Sequence, residues 1–246
     1  MLLFRLTKPL ILARYQHIAW AYSFRFLHVS LSLDLASHQE TSAALQNLRR
    51  ISSTASSRGD VAIVVMAAIL EALTHIRSSS SVEALEHAQS ALATGRSYQL
   101  DDTIAQLPQL SAMMHFVDIF CSLLAFDPAQ ALAKMQVMHS SMAPGPTDNE
   151  WNDDGSFAVP LTQPDLLQKD LGPRGIVAKD DHGRDVLWFK WLSRSDVFAL
   201  AYFVSGAVSS HRNAWVGQKA EKYFREGLRM TQGRRYAFGI TKNADE

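Results

Sequence analysis

The chain has 246 residues, 47% of them apolar and 20% charged, with 12 glycines and 8 prolines. Collagen-like and wholly disordered chains are excluded, and one or two domains with a real core are affordable at this length. Twenty-four basic residues balance twenty-four acidic ones, so global charge demands neither a nucleic acid nor an anionic membrane as partner. A single cysteine, Cys121, excludes a disulfide framework or cysteine-rich zinc site and fits a reducing intracellular compartment.

The first 30 residues carry Arg5, Lys8, Arg14 and Arg25 and no acid. That permits a mitochondrial presequence, but Pro9 interrupts it and aromatic residues follow, so an ordinary buried helix is the preferred reading. Residues 12–34 are apolar on more than one face, with Trp20, Phe24, Leu27 and Leu31 at helical spacing, and predict a buried helix. Ser37 with Glu40 has capping-box spacing and opens a second helix that should end at Gly59. Asp60 then caps a run without Gly or Pro that is too long for a strand, which predicts a central buried helix. Its longest uninterrupted apolar stretch, Val61 to Leu70, is about half of a membrane span, so no transmembrane segment is expected.

Ser80 and Glu83 repeat the capping-box spacing ahead of a helix reaching about Tyr98. Residues 99–107 are a connector. Pro108 opens the next helix, continuing to Leu124, and Asp127-Pro128 opens another to about His139. Two more helices follow, one from Ser193-x-x-Asp196 and one from Val216 to Gln232 stopped by Gly233, eight in all. Residues 140–187 contain five prolines and five glycines. They are expected to be irregular, either mobile or docked, with Gly175–Val177 and Val186–Phe189 able to pair as a small hairpin.

Four segments share one template, a small residue followed three, four, seven and eight positions later by side chains of one helix face. They start at Ala44, Ala84, Ala131 and Ala220 and end at Ile51, Leu92, Met138 and Leu228. Small residues at such positions, here with Ala88, Ala91 and Gly227, let the second helix of a pair approach the first closely. The fold class predicted is all-α: a TPR-like superhelix of about four helix pairs with a long irregular insertion. In domains this gives TPR-like repeats over 1–139, a Pro/Gly-rich insertion over 140–187, a further helix pair over 188–233 and a tail over 234–246. An irregular helical bundle is the alternative.

Chemical motifs are sparse. Asp101-Asp102 resembles the start of a DDxxD magnesium motif, but the fifth position is Ala105. Glu150-x-Asn152-x-Asp154-Gly155 imitates a calcium loop whose twelfth position is Leu161, which cannot coordinate calcium. No H-x-x-x-H or H-E-x-x-H pair, P-loop, G-x-S-x-G or G-x-G-x-x-G occurs. His28, His75 and His115 read as packed or hydrogen-bonded core histidines, and Cys121 as a buried, unreactive thiol. No catalytic, cofactor-binding or metal residue is therefore expected, and the chain is read as no enzyme. Two charge features remain: residues 78–139 hold six acids against Arg96 and Lys134, and residues 211–235 hold seven bases against Glu221 and Glu226. Arg225 and Arg229, with Lys222 beside them, form a helix face that is either solvated or a partner-binding site for an acidic segment or phosphates.

The blocks FRFLHVSLSL (24–33), AALQNLRRI (43–51), AILEALTHIRSSSSVEALEHAQSALATGRSYQL (68–100), PQLSAMMHFVDIFCSL (108–123) and FKWLSRSDVFALAYFVSGAVSSHRNA (189–214) resemble the fungal cohesin-loading-factor family over roughly residues 20–232. That family is the TPR-like subunit of the cohesin loader, kollerin. The resemblance implies a non-enzymatic nuclear adaptor that binds the N-terminal segment of the HEAT-repeat loader subunit. Cohesin and chromatin are indirect partners, and no cofactor, membrane or small-molecule substrate is implied. Family members are longer, so the chain is expected to be an internal section or an abbreviated product. The alternatives from other classes are a metal-dependent all-helical enzyme using Asp101-Asp102 and a helical nucleic-acid-binding protein using the basic C-terminal helix.

Overall fold

The structure, a computed structural model, describes residues 17–35, 38–142, 151–162, 177–180, 183–210 and 214–240. It is mostly helical. Seven helices come first: α1 (Ile18–Leu35), α2 (His38–Arg58), α3 (Val61–Ser78), α4 (Val82–Arg96), the single turn α5 (Asp102–Ala105), α6 (Pro108–Leu124) and α7 (Pro128–Ser141). Strands β1 (Ser156–Pro160), β2 (Val177–Lys179) and β3 (Asp185–Lys190) follow, then α8 (Arg194–Ser210) and α9 (Ala214–Ile240).

Short connections fold each helix back on its predecessor, and four pairs result: α1 with α2, α3 with α4, α6 with α7, α8 with α9. The pairs stack in sequence order, α2 on α3, α6 on α3 and α4, and α8 on α6 and α7. Each copy of the template lies on the second helix of its pair, and Ala44, Ala84, Ala131 and Ala220 are all buried. The reason for small residues is visible where α8 meets α9. A Cβ on Gly206 would stand 2.7 Å from the Phe224 ring, and one on Gly227 would stand 3.3 Å from Phe203 and Tyr202.

Capping chemistry sets several of the helix starts. Asp127 accepts the Gln130 N–H and Ser193 accepts that of Asp196, as their spacing predicts. The cap of α4 is Ser81 rather than Ser80, its hydroxyl accepting the Ala84 N–H. Ser37 lies outside the described residues. The single turn α5 falls where the spacing predicts only a connector, because one turn carries no periodicity; Asp101 caps it by accepting the Thr103 N–H. α9 runs seven residues past Gly233 to Ile240: glycine in a helix costs only about 1 kcal/mol relative to alanine and does not by itself stop it.

Helix α3 is the axis of the larger core, with Ala62 to Ile69 all buried between α2, α4 and α6. By length and composition it is apolar enough to cross a bilayer, but most of it is buried inside the protein. A second core joins α6, α7 and α8 through Phe116, Ile119, Met138 and Val204, and Trp191 touches both.

The expected hairpin forms, β2 pairing antiparallel with β3. A third strand, β1, goes beyond the expected hairpin and pairs antiparallel with the other edge of β3, Ala158 opposite Trp188. Phe157, Val159 and Leu187 enter the larger core, and Phe189 meets Phe26 of α1 edge-on at 5.1 Å. The described part of the insertion is thus a small sheet docked on α1 and α3. Asp60 anchors it. Its side chain, which spacing assigns to capping α3, instead accepts the Thr162 N–H at 2.8 Å, the Tyr22 hydroxyl at 3.0 Å and the Arg58 Nε at 3.3 Å.

Candidate protein-interaction surface

Helix α1 is apolar on two faces. One face, Ala19, Tyr22, Phe26 and Val29, packs inward. The other is the row Trp20, Phe24, Leu27 and Leu31, whose helical spacing enters the expectation of a buried helix. In the structure this row lies at the surface, with Phe24 37%, Leu27 51% and Leu31 51% exposed and Trp20 half-buried beside Phe24 at a centroid distance of 6.0 Å. The spacing of four, three and four puts the row on one stripe of the helix, the pattern of a seam that packs against another element. It spans twelve residues, roughly 16 Å of helix. Contiguous exposed apolar surface of this kind marks interaction sites, whereas single exposed apolar residues such as Leu100 do not.

The basic face of α9 is present but largely self-compensated. Arg225 bonds Glu221, and Arg229 bonds Glu226 through Nε at 3.0 Å. Lys222 is exposed on the same helix. Surface pairs of this type are worth little and are screened by salt. The two bases of the acidic region are also engaged: Arg96 and Lys134 converge on the buried Asp118 at 2.9 and 2.7 Å, tying α4, α6 and α7 together.

The remaining candidates resolve into structural roles. Burial pushes the Cys121 thiol up to about 11, away from a reactive thiolate. His28 Nδ1 lies 3.2 Å from Ser32 and 3.3 Å from Asn47, His75 stacks on His87 at 5.1 Å, and burial holds His75 and His115 below the ordinary histidine range. Asp101 is a helix cap and Asp102 is exposed. Asp154 accepts from the Ser156 N–H and hydroxyl, so the calcium-loop lookalike is the turn into β1. Gly155 sits there at φ +76°, where a Cβ would meet the Trp191 carbonyl at 2.5 Å. Among the described residues no cluster of three or more His, Cys, Asp or Glu side chains could hold a metal.

Helical spacing picks out the residues of the α1 seam and predicts a buried helix, but it does not show which of the apolar faces turns outward. A helix apolar all round gives no periodicity by which to choose the inward face.

Comparison with curated proteins finds no match, and comparison with solved structures finds none. A protein-family model for cohesin loading factor matches residues 10–240. That match spans nearly the whole stack of helix pairs, and the chain therefore belongs to the cohesin loading factor family, whose role is in cohesin loading.

Proposed function

We propose that the chain is a non-enzymatic adaptor of the cohesin loading complex. It binds the N-terminal segment of the HEAT-repeat loader subunit and, through that subunit, promotes cohesin association with chromatin in the nucleus. The observation that carries this reading is the exposed seam Phe24, Leu27 and Leu31 on the first described helix pair. Such a row suits an extended or helical partner segment, whose apolar side chains would remove it from water while its backbone supplies register. Charge, including Lys222, Arg225 and Arg229 of α9, acts on encounter rate more than on affinity. The organisation into TPR-like repeats over 1–139 and 188–233 belongs to the same proposal, since stacked pairs build a long, rigid surface.

The test is a binding titration of the full chain with that N-terminal segment. Replacing Leu27 and Leu31 together by Glu alters side chains already half in water, so the fold should persist. Affinity should fall on the order of a hundredfold, as for loss of a central apolar cluster, while Leu100→Glu on the connector leaves it unchanged. Equal affinity of the double variant and wild type would contradict the assignment of the seam.

A further inference from the structure

We propose that the groove along α1 and α2 binds an acidic, extended polypeptide segment, its carboxylates held by Arg25 and Arg50. Arg25 projects from α1 into the wall of an open groove of about 900 Å³ that also carries Arg49, Arg50, Gln46, Ser42 and Ser53 of α2. No acid lines it.

Arg25 is only 5% exposed. A buried guanidinium is normally paired, because removing a charge from water is costly and arginine cannot escape by giving up its proton. Among the described residues, Arg25 and Arg50 have no ion pair or side-chain hydrogen bond to the protein. Arg49 differs, being paired with Glu71 at 3.0 Å. Arg50 instead adds repulsion: burial first, and then the neighbouring Arg50 charge, make the protonated Arg25 less favourable, against a small opposing effect of Tyr22. Two adjacent unpaired guanidinium forks in one groove are a site for anionic oxygens, which accept bidentate bonds from them.

The groove's shape selects the occupant. Its lining runs from Gln39 to Thr54, roughly 22 Å of helix, the length of about seven extended residues. The hydroxyls of Ser42 and Ser53 and the Gln46 amide offer backbone partners between the charged contacts. A nucleic acid would require a longer array of cations than two unpaired forks. The lining is separate from the Phe24–Leu31 seam on the other face of α1, so either binding event can fail while the other remains measurable.

Fluorescence anisotropy of a labelled Glu-rich peptide of about seven residues, titrated with the full chain, tests this. The acidic peptide should bind and its Gln-rich counterpart should not. Arg50→Glu, an exposed change on α2, should weaken binding on the order of tenfold or more, and Arg25→Lys, which keeps the charge but loses the fork, severalfold. Circular dichroism identical to wild type confirms that each variant is folded. Lys219→Glu on the fourth pair, the same charge change outside the groove, should have no effect. Three results would overturn the proposal: equal binding by all variants, displacement of the peptide by inorganic phosphate at equal charge concentration, or Arg25- and Arg50-dependent preference for a single-stranded oligonucleotide over the peptide.

Discussion

Asp60 is fully buried and accepts from three elements at once, the α1 phenol, the α2 guanidinium and the backbone beyond β1. Replacing it by alanine would strand the Tyr22 hydroxyl and the Thr162 N–H and remove the carboxylate that Arg58 Nε donates to. Asp60→Ala should therefore cost roughly 3 kcal/mol or more in denaturant unfolding; a loss below about 1 kcal/mol would show that the anchor is dispensable. Ala88 makes the complementary point about space. It is fully buried in the larger core, and Ala88→Leu adds methylenes with no room, at about 1 to 3 kcal/mol. A change at the exposed Glu86 of the same helix is the control. Unchanged stability of Ala88→Leu would mean that the template register is misplaced.

Two helix ends in this chain use one motif with different residues. After α2, the Asp60 N–H reaches the Ala55 carbonyl at 2.9 Å and Gly59 adopts φ +75°. After α6, the Asp127 N–H reaches the Ser122 carbonyl at 3.0 Å, but the left-handed position is held by Phe126 at φ +54°. Both are Schellman ends, in which glycine normally takes the left-handed residue because any Cβ there is strained. Phe126 is 82% exposed and gains little from packing. Phe126→Gly should raise stability by roughly 0.5 to 1 kcal/mol, measured by thermal unfolding. A loss would show that the aromatic ring contributes more than the strain costs. Gly206 has the opposite expectation. Alanine is the better helix former, yet its Cβ would press on the Phe224 ring at 2.7 Å. Gly206→Ala should destabilise the α8–α9 pair, and Phe224→Leu in the same chain should restore part of the loss.

At the scale of the molecule, three histidines tie stability to pH. Burial is the first cause that holds His75, His115 and His139 below the ordinary value of 6.5. The unfolded chain therefore takes up protons first as pH falls below about 6.5, so stability should drop from pH 7 towards pH 5 and level off once the folded histidines also protonate. Replacing all three by glutamine should flatten the thermal-unfolding profile over that interval; an unchanged profile would assign the dependence to other groups.

How much of this was legible follows from where the signals lie. Helix pairs, the template alanines and the Asp127 and Ser193 caps depend on spacing within one element, and sequence spacing reports it directly. Asp60, β1 and Arg25 depend on what folds against them from far along the chain. Thr162 is 102 positions from Asp60, and no local pattern announces the contact. Strand β1 alternates buried and half-buried residues over only five positions and ends in Pro160, too short a pattern to read among prolines and glycines. The basic face of α9 is visible as composition, but composition does not show that Arg225 and Arg229 are paired with Glu221 and Glu226.

The central claim is that the outward seam of α1 is the surface on which a cohesin-loader partner docks. Hydrogen exchange of the full chain, followed by mass spectrometry with and without the N-terminal segment of the HEAT-repeat subunit, tests it most directly. Exchange over residues 18–35 should slow in the complex, because a bound partner suppresses local opening of that helix. Protection confined to residues 214–232 of α9, with α1 exchanging as in the free chain, would contradict the account.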